Sequence, residues 1–149
     1  MVELVERMLD PETAWRFHAS QYSGIFWSLG EEVLRKWLLE NGVPAARAIA
    51  RHLPGPELRD GNPFIPPLTE FVLTEFEKDD GVAAAYASGV HGVEVMVGDI
   101  SAHLRSRADF ARHFLGHRLR RIREWAEGEV QSCDADAARF KQMEEERWL

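Results

Sequence analysis

The feature that most constrains this chain is a predicted helix that must break at Asn41-Gly42. The segment from Glu32 to Leu53 has apolar residues at helical spacing on both sides of that pair. Glycine supplies the left-handed backbone conformation that closes an α-helix, and Pro44 suits the first turn of the helix that follows. The segment is therefore predicted to form two short helices hinged at Gly42.

Each of these helices carries one apolar stripe that is predicted to face the core. In the first helix the stripe consists of Val33, Leu34, Trp37 and Leu38. In the second helix it consists of Ala46, Ile49, Ala50 and Leu53. The small residues of the second stripe favour close contact between helices.

The spacing around this hinge returns twice along the chain. Asn41-Gly42-Val43 aligns with Asp80-Gly81-Val82 at an offset of 39, and a third copy opens at His117, 37 residues later. Val43, Val82 and Leu119 are then predicted to be equivalent buried positions. A period in the high thirties with two helices in each unit is typical of an α-solenoid. Chance alignment is the competing explanation, because any helical protein offers some such matches.

The pattern from Glu31 to Val130 resembles HEAT repeats: an apolar first helix, an acid or Asn at the turn, then Val and small residues. The resemblance implies an all-α fold, a short right-handed stack of helical hairpins with about eight or nine helices in one domain over 1–149. Repeats would lie near 31–53, 68–92 and 106–130, with a capping helix near 134–148. Such stacks usually bind another macromolecule on the concave side. The resemblance brings no catalytic residues with it.

Prolines mark the connection between the first two predicted repeats. Residues 54–67 contain five of the seven prolines, which predicts an ordered but irregular loop. Phe64, Ile65 and Leu68 are expected to anchor it to the core. A helix should then begin with Asp80 as its N-cap.

Two further helices are predicted outside these repeats. Asp10-Pro11 is a good helix start near the beginning of the chain. Residues 91–104 could form a strand through Val93, Val95 and Val97, but the spacing of Ile100 and Leu104 favours a helix.

Composition and charge exclude several classes of protein. The single Cys133 excludes an intramolecular disulfide and fits a reducing compartment, most simply the cytoplasm. The first residues do not resemble a secretory signal, and no apolar run reaches the roughly 20 residues of a membrane helix. A net charge of −7 argues against a surface that coats nucleic acid.

The strongest chemical signal is a basic segment from His103 to Arg123, which we call the Arg tract. It holds seven arginines and one acid, Asp109, so that it carries +6 while the rest of the chain carries −13. Arginine recognises carboxylates and phosphates through a planar fork of donors. The predicted partner-binding residues are Arg112, Arg118, Arg120, Arg121 and Arg123. The alternative is that the tract pairs internally with Glu124, Glu127, Glu129 and the acidic surface of the adjacent repeat.

No convincing catalytic, cofactor or metal site is found in the sequence. His113 and His117 have the i, i+4 spacing of a zinc pair, but Gly116 lies between them. His103 could be a third ligand, but no Cys or paired acid completes the set. The nucleotide-binding glycine motifs and the nucleophile-elbow motif are absent from the sequence.

The sequence therefore predicts a non-catalytic protein–protein interaction or scaffolding module, which three short repeats would serve best within a larger assembly. Its partner is expected to be a protein or domain with an acidic surface, and no membrane partner is expected. The alternative is weak binding of nucleic acid or a phosphate ligand through the Arg tract, including a HEAT-like DNA glycosylase. Against that alternative, the stretch Thr69 to Gly92 holds one basic residue, Lys78, where a phosphate-tracking groove needs continuous positive charge.

Overall fold

The computed structural model describes residues 28–91 and 98–147. In chain order its elements are α1 (Glu31–Ala50), β1 (Glu57–Arg59), β2 (Asn62–Phe64), α2 (Pro67–Glu75), α3 (Asp80–His91), α4 (Ile100–Arg112) and α5 (Arg120–Arg147). The protein is mostly helical, as predicted, with one small two-stranded sheet among the described residues. These residues fall into two compact units: a first unit of 28–57 and 64–91, and a second of 58–63 and 98–147.

The predicted hinge in α1 is confirmed. Gly42 has φ 67° and ψ −149°, so the element consists of two helices joined at a kink. A side chain at this φ would be strained, which explains the glycine. Asn41 reinforces the end of the first half by donating from its side-chain amide to the carbonyl of Trp37 at 2.9 Å.

The core of the first unit forms where α1 packs against α2 and α3. The predicted stripe of the second half of α1 is buried throughout: Ala46, Ile49, Ala50 and Leu53. In the first half, Leu34, Trp37 and Leu38 are buried, but the prediction is wrong for Val33, which is 48% exposed. Trp37 lies one turn after Val33 on the same side of the helix and is buried, so the buried stripe is narrower in the first turn of α1.

The proline-rich connection contains a β-hairpin that the sequence analysis did not predict. β1 and β2 are joined by Asp60 and Gly61, whose φ values are 51° and 77°. Two consecutive residues with positive φ make the tight turn that Asp-Gly favours between antiparallel strands. The prediction of a wholly irregular loop was therefore wrong for 57–64.

The rest of this connection is anchored to the first unit as expected. Ile65 and Leu68 are buried, whereas Phe64 is only half-buried. Thr69 is fully buried, and its hydroxyl donates to the carbonyl of Pro54 at 2.8 Å. This bond ties the start of the proline-rich segment to α2 and satisfies a polar group in the core.

The N-cap of α3 is Asp79, not the predicted Asp80. Its Oδ1 accepts from the backbone N–H of Val82 at 2.9 Å. The same carboxylate receives two bonds from Arg47 of α1, from Nε at 2.9 Å and from Nη2 at 2.7 Å. The hydrogen bond from Arg47 lowers the pKa of Asp79 to about 2. One carboxylate thus caps α3 and links it to α1.

The three positions predicted to be equivalent all lie at helix starts, but they differ in burial. Val82, in the first turn of α3, is completely buried. Val43, after the kink in α1, and Leu119, just before α5, are only half-buried. The burial predicted for all three is therefore confirmed for Val82 alone.

The second unit is built on α4 and α5, which pack side by side and antiparallel. Near the start of α4, Ser101 Oγ donates to the carbonyl of Ala137 on α5 at 3.3 Å. Near the end of α4, the ring centroid of Phe110 lies 6.5 Å from that of Trp125, which is early in α5. Buried Leu104, Ala108, Cys133 and Ala137 form the apolar seam. Buried Phe114 packs edge-on against Trp125, with 5.7 Å between the ring centroids.

The capping helix predicted near 134–148 is not a separate element, because α5 runs without a break from Arg120 to Arg147. Of the apolar residues in this part of α5, Cys133 and Ala137 are buried and Phe140 is half-buried, but Met143 is 57% exposed. The predicted start at 134 falls inside α5, because a single Asp is tolerated in a helix whose face is well packed.

Several predictions concern residues outside the described ranges. The helix start at Asp10-Pro11 lies there, as does most of the segment read as a strand or a helix around Val95. The described ranges contain five helices, and a larger total stays a prediction. Of the helices that are described, none is both long and apolar enough to span a bilayer.

Candidate functional site

The Arg tract lies on α4, on α5 and in the loop 113–119 between them. Arg107 on α4 donates from Nη2 to Oε1 of Glu129 on α5 at 2.6 Å. Glu129 is 5% exposed, so its charge is compensated inside the helix pair and not by solvent. This arginine is therefore part of the α4–α5 interface.

Arg112, the first predicted partner-binding residue, bridges the two helices at the surface. It pairs with Asp109 one turn earlier on α4, and its Nη2 lies 2.6 Å from Oδ2 of Asp134 on α5. The hydrogen bond with Asp134 raises the pKa of Arg112, so the guanidinium stays charged. Arg112 thus offsets part of the negative charge of both carboxylates.

Three more tract residues are engaged at the start of α5. Arg120 and Arg121 both pair with Glu124, at 3.2 and 2.8 Å. Arg123 donates from Nη1 to the carbonyl of His117 at 2.7 Å and to that of Arg118 at 3.0 Å. These bonds hold the loop against the helix that follows it.

Internal pairing, the alternative left open by the sequence, is thus present for much of the tract. Glu124 and Glu129 are two of the three predicted acceptors. Among the five predicted partner-binding residues, Arg121 is buried, whereas Arg118 and Arg120 are exposed. A role of these five in binding a partner stays a prediction.

A surface groove of about 390 Å³ runs between α4 and α5, and we call it the α4–α5 groove. Its lining residues come from three turns of each helix: Arg105, Asp109, Arg112, Asp134, Ala137, Ala138 and Lys141. The two alanines have short side chains that leave room for an occupant, and charged side chains surround them. The lining therefore combines five charged residues with two small apolar ones.

Two cations in this groove, Arg105 of the Arg tract and Lys141 of α5, differ from the paired arginines described above. Arg105 and Lys141 are both exposed, and neither forms a salt bridge with another residue in the described part of the chain. The groove's acids, Asp109 and Asp134, are both held by Arg112. Positive charge is thus available to a ligand at Arg105 and Lys141.

The histidine pair does not form a metal site of the helical kind. α4 ends at Arg112, so His113 and His117 both lie in the loop and share no helix. Nδ1 of His113 is 2.9 Å from the carbonyl of Asp109, while Nδ1 of His117 accepts from the N–H of Leu119 at 3.1 Å. Over 28–91 and 98–147, no group of three or more His, Cys, Asp or Glu residues is arranged to hold a metal ion.

Cys133 is a packing residue. It is 4% exposed within the apolar seam, and its thiol lies 3.5 Å from Oε1 of Glu129. Burial, with a further contribution from the charge of Glu129, raises the pKa of Cys133 to about 11. The thiol stays protonated at neutral pH and is a poor nucleophile.

Lys141 was not identified from the sequence, and Arg105 was noted only as one member of the tract. The available signal was helical spacing: Arg105, Asp109 and Arg112 stand at i, i+4 and i+7 on α4. Asp134, Ala138 and Lys141 stand at i, i+4 and i+7 on α5. These two rows face one groove only because α4 packs against α5. The spacing within either helix does not specify that packing.

Comparison with protein-family models, with curated proteins and with solved structures found no match to this chain.

Proposed function

We propose that this chain is a non-catalytic interaction module, built from HEAT-like helical hairpins, that binds an acidic surface of another protein. The observation that carries the proposal is the available positive charge of Arg105 and Lys141 in the α4–α5 groove. Their neighbours in the Arg tract are largely occupied within the α4–α5 pair. An interaction module needs such residual charge, because complementary charge guides and orients association.

Two features are compatible with the HEAT-like part of this proposal. Each of Val43, Val82 and Leu119 lies at the start of a helix, as the repeat alignment requires. α4 and α5 form an antiparallel helix pair, whereas α1 is a single element kinked at Gly42. Burial differs among the three positions, so the copies would be imperfect repeats.

Protein is preferred to nucleic acid as the partner because acids interrupt the positive surface. Asp109 is 71% exposed and Asp134 is 47% exposed beside the very cations that would contact phosphate. A phosphate backbone binds most strongly to continuous positive charge. A protein surface can instead place single carboxylates where single cations lie.

The first test is binding of defined probes by fluorescence anisotropy over a salt series. We expect a labelled 12-residue peptide of alternating Glu and Ala to bind, and its Gln/Ala counterpart to bind at least about ten-fold more weakly. Affinity for the Glu/Ala peptide should fall as salt rises. Equal affinity for the two peptides would refute the proposal. Duplex DNA with a Kd below about 100 nM at 150 mM salt would make nucleic acid the better partner.

A second test asks whether the tract braces the fold or binds the partner. Arg121 is 9% exposed and paired with Glu124, whereas the side chain of Arg139, also on α5, is 73% exposed. Arg121→Glu should lower the melting temperature, and folded protein should keep its affinity for the Glu/Ala peptide. Arg139→Glu is the matched control for charge, and it should leave the melting temperature almost unchanged. Lost peptide affinity in a fully folded Arg121→Glu protein would show that this residue contacts the partner.

A further inference from the structure

We infer that the α4–α5 groove is the contact site itself: it binds a carboxylate-rich peptide segment of the partner, with Arg105 and Lys141 as the recognition residues. This inference rests on the proposed function and makes it specific. It moves the binding site away from the Arg118–Arg123 end of the tract.

The charge arrangement of the groove selects which of its side chains can receive a ligand. Arg112 sits between Asp109 and Asp134 and bonds to both, so these three form a closed unit of one cation and two anions. Arg105 and Lys141 remain as donors to an incoming group. A ligand that carries carboxylates satisfies both cations without breaking the Arg112 contacts.

The shape of the groove indicates which parts of a peptide would contact it. Ala138 is exposed and Ala137 is buried, so the lining includes small apolar groups beside the charged ones. A peptide with small apolar residues between its acids can lie over the alanines while its carboxylates reach Arg105 and Lys141.

Carboxylates fit the groove better than phosphates. A phosphate monoester carries up to two negative charges close together, and the exposed carboxylates of Asp109 and Asp134 would repel them. A carboxylate carries one charge and accepts the planar fork of an arginine. The predicted ligand is therefore a segment that contains Asp or Glu. A phosphopeptide serves as the comparison ligand in the binding experiment.

The decisive experiment compares two pairs of substitutions with the same change in net charge. The groove pair is Arg105→Gln with Lys141→Gln. The control pair is Lys36→Gln with Arg139→Gln, which removes two exposed cations, 79% and 73% accessible, that do not line the groove. All four positions are on the surface, so both proteins should keep the wild-type melting temperature within a few degrees.

We expect the groove pair to weaken binding of the Glu/Ala peptide about ten-fold or more, and the control pair to weaken it less than about two-fold. Ala138→Leu, which enlarges a lining side chain without changing charge, should also weaken binding. Equal losses in the two pairs would overturn the groove as the site, while acidic-peptide binding and the proposed function would stand. If the wild-type protein does not prefer Glu/Ala over Gln/Ala, the proposed function fails. A phosphopeptide that binds more tightly than the Glu/Ala peptide through the groove would overturn the choice of carboxylate.

Discussion

Arg107 and Glu129, 22 positions apart in the chain, form an ion pair of 2.6 Å that joins α4 to α5 beneath the surface. Arg107 is 25% exposed and Glu129 only 5%. Removing one partner of a buried ion pair costs much folding free energy, because the remaining charge is left unpaired. Replacing both partners by apolar residues often costs little. This relationship explains why part of a strongly basic segment serves the stability of the fold.

The first prediction separates the cost of a broken pair from the contribution of the pair. Arg107→Met should destabilise the protein by about 2–4 kcal/mol, less than for a fully buried pair because water reaches part of the guanidinium. The double change Arg107→Met with Glu129→Met should recover most of that loss. Urea unfolding of the wild type and the single and double variants measures the cost of breaking the pair and the contribution of the whole pair. A single variant within about 0.5 kcal/mol of the wild type would show that solvent already screens Glu129.

The second prediction uses two glycines inside helices. A Cβ at Gly89 of α3 would lie 2.0 Å from the backbone oxygen of Arg51, whereas at Gly128 of α5 it would meet nothing within 4 Å. Gly128→Ala should stabilise by about 0.5–1 kcal/mol, because alanine favours the helix. Gly89→Ala should destabilise by about 1–3 kcal/mol, because α3 must move away from the end of α1. Thermal unfolding followed by circular dichroism tests the opposite signs, and a higher melting temperature for Gly89→Ala would contradict this packing.

The third prediction concerns acid stability. The pKa of Asp79 falls from 3.8 to about 2 on folding, chiefly through its hydrogen bond with Arg47. The folded state therefore binds this proton less readily, and the resulting stability is present above about pH 4 and lost as the pH falls towards 2. Asp79→Asn keeps an oxygen for the N–H of Val82 and removes the charge. At pH 7, Asp79→Asn should have a lower melting temperature than the wild type.

The wild-type advantage over Asp79→Asn should shrink between pH 4 and pH 2, as melting curves at several pH values will show. Arg47→Gln is the matched change on the other side of the ion pair and should follow the same pH dependence. An advantage that stays constant down to pH 2 would mean that Arg47 does not lower the pKa of Asp79.

The fourth prediction tests the repeat alignment through burial. Val82→Asp should destabilise by about 3 kcal/mol or more, because it places a charge at a completely buried position. Val43→Asp and Leu119→Asp should each cost about 1 kcal/mol, because these positions are half-buried. Urea midpoints rank the three variants. Equal costs would indicate three equivalent core positions and would strengthen the interpretation as repeats.

Local signals were sufficient for many elements of the fold. The hinge at Gly42 was predictable because a glycine that closes one helix and a proline that opens the next act within a few residues. The apolar spacing of Ile49, Ala50 and Leu53 identified a buried face for the same local reason. Asp60-Gly61 is an equally local signal for a hairpin turn, although the surrounding prolines favoured an irregular loop.

The sequence alone determined a mostly helical chain, its hinge and a strongly basic segment between His103 and Arg123. Only the tertiary structure decided which of those arginines are occupied, because an ion pair such as Arg107–Glu129 depends on two helices meeting in one register. Packing also made α5 continuous through Asp134, since a buried face outweighs a weak local preference for a helix start. The groove beside Arg105 and Lys141 exists for the same reason: its two walls belong to different helices, and no periodicity within one helix specifies how it meets another.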